Sequence, residues 1–390
     1  VSTETEKRIL MIAATPFFSD RGGHIRIYSE IKYLLKNNFK VILCTYFLGN
    51  NPVGIDTSII KRSLNFPWYK KVSPGASWHK IYLDFFLLFS TLKVYFKFRP
   101  HLIHAHMYEG LVIAWIVKLF SFKKIKIVFD CQGSLSEEIR EYTSSKKTAK
   151  IFYPFFVFIE KILLFIPDTI LCSSQNSYNI LTVKFKVDYK KIDILSDGVD
   201  EELFIGIKDE LFKEELKIKL GIPANNKVIV YTGSLSEAKG VDDVLAEMPR
   251  LLEVMEKVTF VFAGYGDLEE YYKKKYKNYV QNGKIVFLGG FSYFDLQKYL
   301  GIADFAIDPK KNSSESSGKI FNYMKFGLPI ICFKNKFNYA LLGNHGVYVN
   351  NFMEISRILT KEYKKINYNN LSYSWDKTII KLIDKYKKLL

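Results

Sequence analysis

Cysteine is scarce in this 390-residue chain: four, at Cys44, Cys131, Cys172 and Cys332, with no C-x-x-C spacing. That excludes a disulfide framework and a thiolate zinc site, and suggests a reduced, cytoplasmic setting. Histidine is nearly as rare, at six. No D-x-D triplet occurs and no carboxylates cluster at a metal spacing, so metal-independent chemistry with no cofactor is expected. No apolar run is long enough to span a membrane; the longest are broken by Asp84, Lys93, Glu160 and Lys161. The first residues, VSTETEKRILMIAA, have no basic leader ahead of the apolar run, so Ile9 to Ala14 reads as a first strand rather than a signal peptide. Acidic residues are also in deficit. The formal charge is +17, of which residues 1–197 carry +12 and residues 198–390 only +5. An excess on one half suggests that this half faces something anionic. The basic residues are dispersed and no nucleic-acid recognition fold is visible, so nucleic-acid binding is the weaker reading of that charge.

What is present is an alternation of short apolar runs and amphipathic segments, with 48% hydrophobic residues, enough for two cores in a chain of this length. Strands are expected at Ile9–Ala14, Val41–Phe47, Leu102–His106, Lys126–Asp130, Thr169–Ser173 and Ile192–Leu195. Helices are expected at His24–Asn37, between Trp78 and Phe98, and at Gly110–Phe120 and Lys146–Ile166. Pro52 to Trp78 reads as irregular. After Ser196 a second series begins: a helix at Lys208–Lys219, then strands at Val228–Tyr231, Phe260–Ala263 and Ile285–Leu288. Strands alternating with helices predict an α/β fold built on parallel sheets.

The stretch that organises the second half is ADFAIDP, KKNSSESSG and KIFNYMKFGLPIICF, from Ala303 to Phe333. It reads as strand, polar loop, helix from Lys319 to about Phe326, and strand. That places Ser317, Gly318 and Lys319 at the C-terminal edge of a parallel sheet, where open α/β sheets bind ligands and helix starts attract phosphate. Asn322 follows one turn in. In the first half, Gly22 and Gly23 open the helix after the first strand, and such a loop lets a ligand approach the backbone closely.

In order and separation these pieces resemble the retaining family-4 glycosyltransferases of GT-B fold. The resemblance rests on TGSLSEAKG (Gly233 to Lys239), GYG (Gly264 to Gly266) and KIFNYMKFGLP (Lys319 to Pro329), with LIHAH and SDGVDEELF in support. It implies two Rossmann-like doubly wound domains, residues 1–197 on the acceptor side and 198–371 on the nucleotide-sugar side. A C-terminal helix, 372–390, would cross back to the first domain. The implied donor contacts are Gly22, Gly23, Gly233, Ser234, Gly264, Gly266, Phe291, Ser317, Gly318, Lys319 and Asn322. Lys239 and Glu315 would act in catalysis, and His106, Asp130 and Gln132 would lie on the acceptor side. The sequence departs from the family where Asn322 stands in place of the ribose-binding Glu, Ser314 falls at the other Glu position with Glu315 one residue off, and Gln132 takes the place of a sugar-contacting His.

The implied reaction moves a sugar from a UDP- or GDP-sugar to an acceptor hydroxyl, with retention. A nucleotide-sugar epimerase of similar fold and a basic nucleic-acid-binding protein are the alternatives. Residues 61–99 hold eight Lys or Arg against one acid, Asp84, interleaved with aromatics including Phe66, Trp68 and Trp78. A second such stretch begins at Lys146, Lys147 and Lys150 and continues through Phe152, Tyr153, Phe155 and Phe156. Aromatic and basic side chains together suit a headgroup interface. The expected partners are therefore a nucleotide sugar, a glycan or lipid-linked acceptor and an anionic membrane surface. The expected location is peripheral, on the cytoplasmic face.

Overall fold

Near-continuous apolar runs such as Ile9 to Ala13 and Val258 to Ala263 suit strands covered on both faces, the condition of a parallel sheet between helices. The computed structural model describes residues 6–19, 21–71, 78–121, 124–137, 146–206, 209–266, 269–311, 317–361, 363–368 and 373–390. It divides into two compact units, one of Val1–Asp197 with Trp375–Leu390, the other of Gly198–Ser313 with Ser317–Ser374.

The first unit is built on seven parallel strands: β1 (Arg8–Ala13), β2 (Lys40–Thr45), β3 (Ile60–Arg62), β4 (Leu102–His106), β5 (Lys126–Cys131), β6 (Thr169–Cys172) and β7 (Ile192–Ile194), in the order β3-β2-β1-β4-β5-β6-β7. The second has six: β8 (Lys227–Thr232), β9 (Val258–Ala263), β10 (Ile285–Gly289), β11 (Phe305–Asp308), β12 (Ile330–Phe333) and β13 (Val347–Val349), in the order β10-β9-β8-β11-β12-β13. Both are Rossmann-like, doubly wound sheets. Strand order reverses between β1 and β4 and between β8 and β11, and the C-terminal ends at such reversals are where these sheets hold ligands. The edge strands β3 and β13 are three residues long. β3 lies inside the stretch expected to be irregular, whereas β7, equally short, was expected from the sequence.

Side-chain alternation sorts the first sheet's residues onto two faces. Leu10, Ile12, Ile103, Ala105, Ile127 and Phe129 join one core, with Leu83 and Leu87 from helix His79–Phe98 and Leu111, Ala114 and Val117 from helix Met107–Phe120. His104, His106 and Asp130 take the alternate positions. Register sets His106 beside Asp130 on β5 and beside Ala13 on β1. Arg26 and Glu30, one turn apart on helix Gly22–Lys36, are buried against them. The helix Trp375–Leu389 packs in this same unit. Its Tyr386 shares a 2.5 Å hydrogen bond with His104 Nδ1, and its Lys385 pairs with Asp193.

Candidate active site

In the first unit the glycine loop is held by a histidine. The Ser19 N–H donates to His24 Nδ1 at 3.0 Å, which leaves Nε2 as the protonated nitrogen facing Thr15 Oγ1 at 2.7 Å. Burial, helped by the Arg21 charge, pushes His24 down to about 3, so it stays neutral and fixes the turn between β1 and its helix. At Gly23 a Cβ would lie 2.4 Å from Gln132 Oε1, whereas at Gly22 it would meet nothing within 4 Å. A side chain at position 23 would push the Gln132 amide aside, whereas Gly22 is the position with open space in front of it.

Behind this loop lies a buried ionic cluster. Arg26 donates through Nε and Nη2 to Asp130 at 2.8–3.1 Å and through Nη1 to Leu195 O at 2.9 Å and Asp197 Oδ1 at 2.8 Å. Burial alone would raise the Asp130 carboxyl, but the Arg26 charge and hydrogen bonds from His106 and Arg26 hold it well below the usual range. Glu30, 3.4 Å from Arg26 Nε, goes the other way: burial and the Asp130 charge push it well above. The cluster thus favours the charged form of Asp130 and disfavours that of Glu30. Gln132 Nε2 donates to Asp130 Oδ2 at 3.0 Å, so the cluster also orients the residue that faces Gly23.

His106 and Asp130 were expected on the acceptor side. The structure buries both completely. Alternation from β4 and β5 directs them into the sheet–helix interface, where Asp130 holds the Gln132 amide. Glu30, His104, His106 and Asp130 also have the makings of a metal site, with ligand atoms within 4.8 Å of one another. No spacing along the chain announces this group, because three separate elements supply it. A cation there would have to compete with the guanidinium of Arg26, which already engages both oxygens of Asp130.

In the second unit, β8 and β11 end side by side. Gly233, at φ 131°, turns the chain after β8, and Tyr231 OH donates to Ser234 O at 2.9 Å across the turn. A Cβ on Gly264 would strike Gly233 O at 1.9 Å, and one on Gly266 would strike Leu235 O at 2.1 Å. These two glycines let the loop after β9 pack on the backbone of the loop after β8. Lys239 closes a short turn before Gly240, whose φ of 74° and close approach to Pro309 O bring that turn against the end of β11.

Lys319 begins the next helix, with Ser317 buried just before it and Gly318 at the cap. That helix, Lys319–Lys325, is seven residues long. So short a helix has a weak dipole, and side-chain cations replace the helix start as the main source of positive charge. Asn322 lies one turn in and is buried. Phe291 packs edge-on against Tyr299 at 5.3 Å between ring centroids. Lys319 Nζ stands 4.3 Å from the Tyr231 ring centre and 3.5 Å from Asp308 Oδ1. Burial, with Lys239 and Lys310 nearby, pushes Lys319 down to about 8 against the opposing pull of Asp308. Lys239 and Lys310 therefore both act on Lys319, which pairs with one buried carboxylate. Lys310 and Asp308 were missed from sequence, because each reads there as an ordinary strand end or solvated loop residue. Glu315 lies outside the described residues.

Two family models match in tandem: Glycosyltransferase Family 4 over residues 21–203 and Glycosyl transferases group 1 over residues 212–361. The chain is a group 1 glycosyltransferase. An uncharacterized glycosyltransferase of Methanocaldococcus jannaschii is 23% identical over 301 residues, 72% of each chain. The alpha-monoglucosyldiacylglycerol synthase of Streptococcus pneumoniae is 27% identical over 173 residues, 44% of this glycosyltransferase and 38% of that enzyme. Solved structures agree on the fold. Sucrose-phosphate synthase from Thermosynechococcus elongatus superposes with a TM-score of 0.78 at 15% identity, over 98% of this chain and 99% of that one. Anabaena HepE in complex with UDP and glucose gives 0.74 at 14% identity, over 98% and 100%. The glycosyltransferase is therefore of GT-B fold and a hexosyltransferase by class, using nucleotide sugars. Neither the epimerase nor the nucleic-acid-binding alternative is favoured by these matches.

Proposed function

We propose that this glycosyltransferase moves a hexosyl group from a UDP- or GDP-sugar to a hydroxyl of a lipid or lipid-linked glycan, with retention and without a metal. The observation that carries the donor half of this reading is the gathering of Lys239, Lys310 and Lys319 where β8 and β11 end. The glycosidic bond breaks only if the charge growing on the leaving diphosphate is stabilised, and fixed cations in a sheltered site do that without reorganising. Ser317 and Gly318 supply backbone N–H groups beside Lys319, Ser234 and Gly233 border it, and Asn322 is placed to hold the ribose. Gly22 supplies the open approach on the first unit, with Gln132 facing Gly23 beside it.

The acceptor half rests on surface chemistry. On helix Lys146–Leu163, Ile151, Phe155, Phe158 and Ile162 are exposed and spaced to form one stripe, with Phe152 beside it. Trp68 and Trp78 are 71% and 70% exposed, and Ile81, Phe85 and Phe89 follow on the outer face of helix His79–Phe98. Phe66, counted from sequence among the interleaved aromatics, is a core residue instead, as is Tyr69. The side chains of Lys146, Lys147 and Lys150 lie outside the described residues. Among the described residues no helix is long and apolar enough to cross a membrane. Inserted aromatics, with Lys or Arg contributing about 1 kcal/mol each near an anionic leaflet, suffice for reversible attachment. The pneumococcal relative is named for a glucosyl-lipid, which accords with this choice of acceptor.

The test begins with thermal shift over a panel of nucleoside diphosphates, since a ligand of the folded state raises the melting temperature. Transfer from the matching sugar nucleotide to diacylglycerol and polyprenyl-phosphate acceptors follows, with the anomeric configuration read by NMR and EDTA present. No shift with any nucleoside diphosphate would refute the donor reading. An inverted product or loss of activity in EDTA would refute the mechanism. Vesicle sedimentation equal on neutral and anionic lipid would refute the electrostatic attachment.

A further inference from the structure

Asp308 is an unusual residue to find at an anion site. It ends β11, is 1% exposed, and neither of its oxygens has a hydrogen-bond partner among the described residues. A buried carboxylate without donors is costly unless a nearby charge compensates it. The compensating charge is Lys319 Nζ, 3.5 Å from Oδ1. Lys319 is in turn confined. Its ammonium lies over the Tyr231 ring at 4.3 Å, and a Cβ on Gly233 would come within 3.3 Å of it, so the glycine turn and the ammonium share one small space. The groups that act on Lys319 are Asp308 from β11, Lys310 from the segment after it, and Lys239 from the turn after β8. Tyr323 and Cys332 also feel the Asp308 charge, from the helix of Lys319 and from β12.

We propose that Asp308 is a positioning residue that keeps Lys319 charged and aimed over the Gly233 turn, so that the site presents its full positive charge to a diphosphate at neutral pH. This inference rests on the donor reading above and deepens it. An ammonium held at Lys319 suits a phosphate of a nucleoside diphosphate or of a sugar nucleotide. In a buried site two neighbouring ammonium groups would drive one lysine to release its proton. Asp308 opposes that release, while Tyr231 offers its ring face as a partner that does not neutralise the charge. The direction of the Lys319 shift, down from burial and up from Asp308, fits this division of labour.

The experiment is calorimetric titration of the full chain with UDP and GDP between pH 6 and 9.5, following whichever binds more tightly. Ionisation of the ligand is common to all variants and cancels in the comparison. Wild-type affinity should fall as pH rises through the range where Lys319 loses its proton. In Asp308→Asn that fall should begin about 2 pH units lower. Its Kd should be at least tenfold weaker near pH 7.5, yet within a few-fold of wild type at pH 6. Lys319→Arg cannot lose its proton in this range and should show no fall in affinity at alkaline pH, which tests the same idea where Asp308→Asn does not fold. If Asp308→Asn weakens binding equally at every pH, or Lys319→Arg keeps the wild-type fall, the positioning role is overturned. If neither nucleotide binds the wild-type protein at any pH, it is the donor reading that fails.

Discussion

Replacing Arg26 by Met would remove the one guanidinium of the first unit's buried cluster while keeping most of the side chain's volume. The cost can be worked out from its partners. Leu195 O, on a buried residue, loses a donor, a cost of about 1 kcal/mol or more, whereas Asp197, whose side chain is 20% exposed, can turn back to water. Asp130 is fully buried and cannot. Breaking a buried pair on one side leaves an uncompensated charge, typically about 3–5 kcal/mol of destabilisation. The Gln132 amide at 3.0 Å and His106 Nδ1 at 3.2 Å remain to Asp130, which places the expectation at the low end, about 3 kcal/mol. For a unit of this size that is a fall in melting temperature on the order of 10 °C. The chain's four tryptophans, Trp68, Trp78, Trp115 and Trp375, all belong to the unit that holds Arg26, so intrinsic fluorescence during urea unfolding reports on that unit alone. Adding Asp130→Asn should recover a large part of the loss, because it removes the stranded charge. The pH dependence should also change. In the wild type the Asp130 carboxyl is depressed, so its contribution is present above the unfolded carboxylate pKa and is lost only as pH falls through the lower folded value. Without Arg26 the buried carboxyl is raised instead, so stability should decline as pH rises from about 4 toward neutrality. An unchanged urea midpoint in Arg26→Met, or a double variant less stable than the single, would refute the assignment of Asp130 as the cluster's buried anion.

Glu30→Gln should be at least as stable as wild type near pH 8, with its advantage gone below about pH 4. The raised Glu30 carboxyl contributes fully only below its unfolded pKa and loses stability as pH climbs, and a lower urea midpoint for the amide at pH 8 would contradict a protonated Glu30. Lys239→Ala should lower turnover by about two orders of magnitude, the usual loss for one preorganised electrostatic contact, and wild-type turnover would remove Lys239 from the donor site. Asn322→Glu should keep or tighten nucleotide affinity and Asn322→Ala should weaken it. Equal Kd values for all three proteins by calorimetry would show that Asn322 does not touch the ribose.

The fold was legible because its signals are local. Each central strand is an apolar run of four to six residues closed by a turn residue, and the βα alternation predicts parallel pairing without knowledge of strand order. The glycines could be found but not interpreted. From sequence, Gly233, Gly264 and Gly266 look equivalent. In the structure Gly233 turns the chain beside Lys319, while Gly264 and Gly266 are required where one loop's backbone packs on another's. Spacing alone cannot tell a glycine that makes room for a ligand from one that makes room for a carbonyl.

The ionic clusters were not legible for a related reason. Arg26 and Glu30 stand one helical turn apart, which on any amphipathic helix reads as a solvated salt bridge worth a few tenths of a kcal/mol. Their burial depends on β4 and β5 placing His104, His106 and Asp130 beneath that turn, and the register that does so links residues about a hundred positions away. The same holds for Asp308 and Lys310, which end a strand and start a loop in sequence but meet Lys319 and Lys239 only once β11 lies beside β8. Charged residues in these positions cost stability unless every partner arrives. A chain that keeps them at both switch points is using that cost to fix two pieces of geometry, the seat of Gln132 against Gly23 and the seat of Lys319 above Gly233. Apolar replacements would leave both seats unspecified, and one of them holds Gln132, which stands where the resembled family carries a histidine.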